Sequence, residues 1–245
     1  MKNLIPHGWQ LPDAIANRLG EQAGRQRIMT HDHHLLIVGH EPPRPGDPER
    51  RGRLFWRRPD GQWDSSANGA GVGALLRHLD EFAKRVDVLE DRIHAADEAD
   101  DYFAVLREGT PLVRTIRNLH LALQQAREAA DDDRDLITIR DRATDLERAG
   151  ELLLSDAQQG LDYTTAKRSE EAARNGEILA RAGHRLNLLA ALFLPLTAIA
   201  SVFGMQVEHG LEHRWAPYPF WIVLCVGLAV GVAVKAMLGR GAPRT

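Results

Sequence analysis

Leu186-Asn187-Leu188-Leu189-Ala190-Ala191-Leu192-Phe193-Leu194-Pro195-Leu196-Thr197-Ala198-Ile199-Ala200-Ser201-Val202-Phe203-Gly204-Met205-Gln206 carries no charged side chain over 21 positions. As a helix it spans about 31 Å at ~1.5 Å per residue. A hydrocarbon core is ~30 Å thick, so the stretch reads as a membrane span. Its interior is unusual for a plain anchor. Asn187, Thr197 and Ser201 are polar, Pro195 removes a backbone donor, and Gly-Met-Gln closes the end.

The rest of the 245 residues is arranged around this span. Mean hydropathy is −0.33, an average that hides a segregation. Charges crowd residues 41–185, whereas 186–234 holds only Glu208, Glu212 and Arg214. The net charge of −3 gives no general case for nucleic-acid binding. Cys225 is the single cysteine and lies in an apolar run, which excludes an intramolecular disulfide. Met1-Lys2-Asn3-Leu4-Ile5-Pro6 lacks the apolar core of a signal peptide, so most of the chain is expected in the cytosol.

Upstream, residues 1–66 read as a reduced α/β region. Leu35-Leu36-Ile37-Val38 suits a buried strand. Glu41 to Pro48 is a proline-rich loop, and Arg53–Trp56 and Gln62-Trp63 flank the turn signal Pro59-Asp60-Gly61. Three strands are expected, too few for much independent stability. From 67 to 185 the pattern is helical. Leu75, Leu79, Phe82, Val86, Leu89, Ile93, Ala96, Phe103 and Leu106 form one stripe, with Gly109-Thr110-Pro111 as its stop. A second stripe runs from Leu112 to Ala130. After the Asp131–Asp135 break, a third begins at Leu136 and continues past Gly160. Short turns between them predict antiparallel helices at shallow angles. The third helix has no stop before the span, so one helix is predicted from about 134 to 206; its part around Lys167–Glu177 is polar nearly all round.

Downstream, 207–219 is a loop, 220–238 a second span and 239–245 a tail. Arg181 and Arg185 precede the first span, Lys235, Arg240 and Arg244 mark the end of the second, and the loop holds only Arg214. The lysine and arginine bias therefore predicts both termini inside and the loop outside. The fold class is a mainly α membrane protein: a small N-terminal α/β region, antiparallel cytoplasmic helices, and one very long stalk helix entering the first of two spans.

Phe193-Leu194-Pro195-Leu196-Thr197, Gly204-Met205-Gln206, Glu208, Glu212, Arg214-Trp215 and Tyr218-Pro219 resemble the CorA family of divalent-cation channels. The resemblance covers roughly residues 70–240. It implies a homopentamer in the inner membrane, with the first span lining an axial pore and the second packed outside it. Its cytoplasmic helices would form a funnel whose bound ions favour the closed state. The implied cargo is Mg²⁺, or alternatively Co²⁺, Ni²⁺ or Zn²⁺, with the same ions in a regulatory role at ligands this sequence does not locate. The partners are the chain itself, the bilayer and metal ions. The family's Gly-Met-Asn is Gly-Met-Gln here, and a larger amide would narrow or reshape the outer ring. Mg²⁺ dehydrates reluctantly, so a ring of this kind holds it through its water shell and depends on diameter.

Asn187, Leu194 and Ser201 recur at sevens on one helical stripe, with Thr197 and Gln206 beside it. In a pentamer that stripe alternates polar rings with an apolar constriction. The competing reading has Thr197 and Ser201 bonding back to their own helix. Gly204, Met205 and Gln206 are assigned to the outer mouth, and Glu208 and Glu212 either draw cations there or form a solvated loop paired to Arg214. Gly227 and Gly231 form a GxxxG pair suited to helix contact, or simply a small-residue surface toward lipid. An alternative function is a non-conducting, membrane-anchored scaffold that keeps the fold.

Three further motifs carry little. Gly69-Ala70-Gly71-Val72-Gly73-Ala74 has dinucleotide-loop spacing without a preceding apolar strand. Asp131, Asp133 and Asp135 lack the glycine and closing glutamate of a calcium loop, which favours helix capping. His31-Asp32-His33-His34 suits a transition metal less well than an exposed polar tract. No nucleophile–base pair or phosphate loop appears, so neither an enzyme nor a catalytic cofactor is expected.

Overall fold

The computed structural model describes residues 4–44, 46, 51–67, 71–204 and 218–240. By contacts the chain divides after Lys167. In the first part, a short helix α1 (Asp13–Ala16) precedes strands β1 (Arg27–His31), β2 (His34–His40), β3 (Gly52–Arg57) and β4 (Trp63–Ser65). The strands form an antiparallel meander in the order β1-β2-β3-β4. Then come helices α2 (Val72–His94), α3 (Ala99–Ala129) and α4 (Asp135–Gly204), which runs on into the second part, where α5 (Tyr218–Arg240) follows.

Strand alternation sorts the sheet into two faces. Leu35, Ile37, Phe55 and Trp63 join Leu75, Leu79, Phe82, Leu112, Ile116, Leu119, Leu136 and Ile139 in the helical core. Met29, Leu36, Val38, Leu54 and Trp56 face the other way into a second core with Ile15 and Ala23, over which Leu4, Trp9, Leu11 and Leu19 pack. The register puts Leu36 opposite Trp56 and Ile37 opposite Phe55, so each cross-strand pair stays within one core. The sheet is therefore covered on both sides, one side by helices and one by the N-terminal segment. This compensates for its small size.

The sheet has four strands where three were expected. β1 buries only Met29 and offers no apolar run. It pairs with β2 through Asp32 and His33, which have φ of 45° and 62°. Two successive left-handed residues make a two-residue hairpin turn matched to strand twist. The polar tract His31–His34 thus serves as a turn, with His34 Nδ1 accepting from Trp56 Nε1 at 3.1 Å.

The first break between helices lies at residues 95–98, not at Gly109-Thr110-Pro111. The Asp101 carboxylate accepts from the Glu98 amide at 3.0 Å, and this caps α3. The helix then continues through Pro111. Thr110 Oγ1 donates to the Leu106 carbonyl at 2.7 Å and Thr115 Oγ1 to the Pro111 carbonyl at 2.8 Å. Gly109 is a crossing point: a Cβ there would meet Leu154 Cδ2 at 3.0 Å on α4 and Leu89 Cδ1 at 3.8 Å on α2. The same shift of boundary puts Phe103 on the surface, 59% exposed, while Val105 turns inward. The second and third stripes are buried as expected, through Leu112, Ile116, Leu119, Leu123 and Ala126, and through Leu136, Ile139, Ala143, Leu146, Leu153 and Ala157.

Two polar clusters tie the sheet to the helices. Arg57 Nε and Trp63 Nε1 donate to Asp133 Oδ2 at 2.8 and 3.2 Å, and Arg57 Nη2 reaches Asp132 at 3.2 Å. Asp133 also accepts from the Asp135 amide at 3.0 Å, which is the capping role read from the aspartate run. The pin to Arg57 had no signal in sequence, because its two halves are 76 residues apart. In the other cluster, His78 on α2 is fully buried between the rings of Phe55 and Phe82, each 5.2 Å away. Arg53 Nη1 donates to His78 Nδ1 at 3.1 Å and to Glu81 at 2.8 Å, while Arg53 Nη2 reaches Glu41 at 3.3 Å. Burial, with the Arg53 charge and then His40 adding to it, lowers the His78 pKa to about 3 and keeps the ring neutral.

Candidate pore-lining face

Helix α4 is continuous from Asp135 to Gly204 and contains Pro195. From Thr165 to Ala182 every residue is exposed, in agreement with the polar composition there. Past Arg185 the helix becomes apolar. Among the described residues, one helix is long and apolar enough to cross a membrane, within Asp135–Ser201; Leu224–Ala233 is a shorter apolar stretch inside α5. α5 opens at Tyr218, so Pro219 falls in its first turn rather than ending the loop.

The two helices of this part pack through small residues of α5. Gly227 is buried, and a Cβ there would meet Leu196 Cδ1 at 3.0 Å and Ile199 Cδ1 at 3.6 Å. The first glycine of the GxxxG pair therefore faces α4 instead of lipid, and Gly231 is buried one turn on. Leu188, Pro195, Leu196 and Ile199 of α4 are half-buried on the covered side. Asn187, Leu194, Thr197 and Ser201 are all exposed. The stripe read from sequence is thus the side of α4 that α5 leaves uncovered.

Leu194 is 67% exposed and Phe193 56%. On α5, Trp221 and Val232 are 60% and 57% exposed. Apolar surface on this scale on two adjacent helices calls for lipid or further protein around it. Thr197 Oγ1 donates to the Phe193 carbonyl at 2.8 Å, the back-bond of the competing reading. That bond leaves the hydroxyl's lone pairs free to accept, so it does not remove Thr197 from a polar face. Gly204 is the last residue of α4. Met205, Gln206, Glu208 and Glu212 lie outside the described residues, as do Gly69 and Ala70 of the dinucleotide-like motif.

Elsewhere, the turn residues His31, His33 and His34 share a cleft of about 570 Å³ with Asp131 and Asp132. Nothing in the local sequence of either tract signals that the two meet. Among the described residues, no three histidine, cysteine or acidic side chains are gathered to hold a metal ion.

The family profile described as "CorA-like Mg2+ transporter protein" matches residues 18–240. The chain belongs to this CorA-like family. It is a family of transporters rather than of enzymes, and metal-ion transport is the function that membership supports. Among solved structures, the full-length CmaX protein matches with a TM-score of 0.58 at 15% identity, over 96% of this chain and 82% of that one. The ZntB cytoplasmic domain from Vibrio parahaemolyticus matches with a TM-score of 0.53 at 14% identity, over 65% of this chain and 80% of that one. The CorA magnesium transporter from Methanocaldococcus jannaschii aligns at 12% identity with a TM-score of 0.43, over 91% of this chain and 81% of that one. No curated protein sequence matches. At such identities the first two likenesses show the fold alone, the ZntB one over its cytoplasmic domain and the CmaX one over nearly the whole chain.

Proposed function

We propose that the protein is a divalent-cation channel that passes Mg²⁺, Co²⁺, Ni²⁺ or Zn²⁺ down their electrochemical gradient as a homopentamer in the inner membrane. The observation that carries this reading is the uncovered side of α4. Asn187, Thr197 and Ser201 alternate there with Leu194, all exposed, while α5 covers the opposite side. Placed around an axis, this side forms polar rings separated by one apolar constriction, an arrangement that conducts hydrated ions and gates by dewetting. Polar groups within spans are functional by default, because leaving them in lipid is costly.

In this reading residues 186–206 and 220–238 span the bilayer and 207–219 lie outside. Residues 67–185 form the cytoplasmic funnel, with the α/β region of 1–66 at its N-terminal end, and both termini are inside. Gly204, Met205 and Gln206 form the outer mouth, and Glu208 and Glu212 raise the local cation concentration there. Purified protein in liposomes is expected to give metal-dependent flux that drops about tenfold in Gln206→Ala, because the ring's amide oxygens no longer hold the ion's water shell. Gln206→Asn, which restores the family's residue, is expected to conduct. Absence of flux for all four metals under any gradient sinks the proposal, and with an intact oligomer it leaves the non-conducting scaffold.

A further inference from the structure

Two exposed stripes on packed helices of the first part carry opposite charge. On α3, Phe103, Arg107, Thr110, Arg114, Arg117 and Leu121 follow alternating steps of four and three, and all six are exposed. Three of them are cationic, none is acidic, and an apolar side chain closes each end. On α4, Asp141, Asp145, Leu152, Asp156, Gln159 and Tyr163 form a second stripe, on the side away from the buried Ile139, Ala143 and Leu153. All six are again exposed, and three are anionic. Arg148 and Glu151 lie beside this stripe and cancel in charge. Arg117 reaches Glu147 at 3.6 Å and Asp141 binds its neighbour Arg140 at 2.5 Å, but a guanidinium has five donors and a carboxylate two oxygens, so both keep capacity for a further partner.

The packing of α3 on α4 fixes which residues share a height. Gly160 lies against the Tyr102 ring, Gly109 against Leu154 and Gly150 against Val113, and His120 Nε2 is 3.1 Å from Thr144 Oγ1. On this scale Arg107 is level with Asp156 and Arg117 with Asp145, while Phe103 falls between Gln159 and Tyr163. Rotation about an axis along the two helices changes no height. In a closed ring, each α3 residue therefore meets the α4 residue already level with it, but on the next chain. Two arginine–aspartate pairs and one aromatic pair then form at a single register. Phe103, Leu121, Leu152 and Tyr163 are each more than half exposed in the single chain. Pairing α3 with α3, or α4 with α4, would instead oppose like charges.

We infer that copies of the chain associate through the basic stripe of α3 on one and the acidic stripe of α4 on the next. The interface is heterologous, so it closes a ring by repetition. It rests on the self-association in the proposed function and not on conduction; neither Gln206 nor the polar face of residues 187–201 enters it.

The test is disulfide trapping in the full-length protein, in membranes, on a Cys225→Ala background. Arg107→Cys with Asp156→Cys in one chain is expected to give a ladder of covalent oligomers on oxidation. Its yield should exceed that of Arg107→Cys with Thr138→Cys at least about tenfold, because a disulfide needs its two Cα atoms within about 7 Å. Thr138 is exposed on the same side of α4, about five turns from Asp156, so only height differs. Charge reversal is the second measurement, should the cysteine pairs fold poorly by their melting curves. Arg117→Asp and Asp145→Arg should each lower the oligomer fraction at fixed concentration about threefold, and together restore it. An equal ladder from the Thr138 pair, or reversal losses that the double variant does not restore, overturns the proposal. So does an oligomer by mass without the Arg107–Asp156 link, which leaves conduction untouched. The link without metal flux upholds this interface and sinks the channel.

Discussion

Lowering the pH from 7 toward 4 is expected to destabilise the protein through His78. In the unfolded chain this imidazole titrates at 6.5, whereas in the fold its pKa is about 3. Between those values the unfolded state binds a proton that the folded state refuses. The stability His78 allows is thus fully present above pH 6.5 and is lost as pH falls toward 3. The loss runs at roughly 1.4 kcal/mol per unit, on the order of 5 kcal/mol at full extent. The geometry explains why the fold does not accommodate the proton. Nδ1 already accepts from Arg53 at 3.1 Å, and the buried Nε2 has no partner among the described residues. A proton on Nδ1 would replace that bond with two positive charges in contact. Denaturant unfolding of wild type and His78→Gln, compared at pH 7, 5.5 and 4.5, checks this. The variant should start less stable and show a shallower slope; parallel slopes would count against His78 as the titrating group.

Asp133→Ala is expected to cost about 3 kcal/mol, because the Arg57 guanidinium stays buried with its better partner gone. The side chains of Arg57 and Asp133 are 11% and 10% exposed, and the Trp63 indole N–H loses the same acceptor. Asp132 remains 3.2 Å from Arg57, but its side chain is 72% exposed and its charge is screened by water. Asp132→Ala should therefore cost less than about 1 kcal/mol, the range of exposed pairs. Denaturation midpoints of the two variants decide the matter. Equal losses would mean that the pin acts as a diffuse acidic patch and not through one buried carboxylate.

Elements built on local periodicity were legible in sequence. The stripes of α3 and α4 from Leu112 onward are buried as their spacing predicts. β2 was visible because both its faces are apolar, and the β3–β4 hairpin because its turn is spelled out in Pro59-Asp60-Gly61. Asn187, Leu194 and Ser201, set seven residues apart on α4, are all exposed. Reading failed where one residue type serves two ends. Gly109 and Pro111 carry the chemistry of a helix stop, yet Gly109 is needed for the approach of Leu154, and threonine hydroxyls bond the carbonyls on either side of Pro111. β1 escaped because it packs on α1 and α3 while burying a single methionine. The Arg57–Asp133 pin depends on a contact between distant segments, which no local window carries. For Gly227 the sequence left two faces open, and only the position of Leu196 decides between them.

The bare stretch of α4 has a consequence for how the protein can be watched. From Thr165 to Ala182 no side chain is sheltered, and the helix there is held by its backbone ladder and by exposed pairs such as Glu170–Arg174 at 2.5 Å and Glu177–Arg181 at 3.2 Å. Pairs of this kind contribute only about 0.3–0.5 kcal/mol each. Local opening of this segment therefore costs far less than opening the packed turns on its N-terminal side. Its amide protons are expected to exchange quickly in a lone chain, and more slowly if neighbouring copies cover them in the proposed homopentamer. Deuterium uptake over these eighteen residues would then act as a clock for the proposed assembly, written into the helix itself.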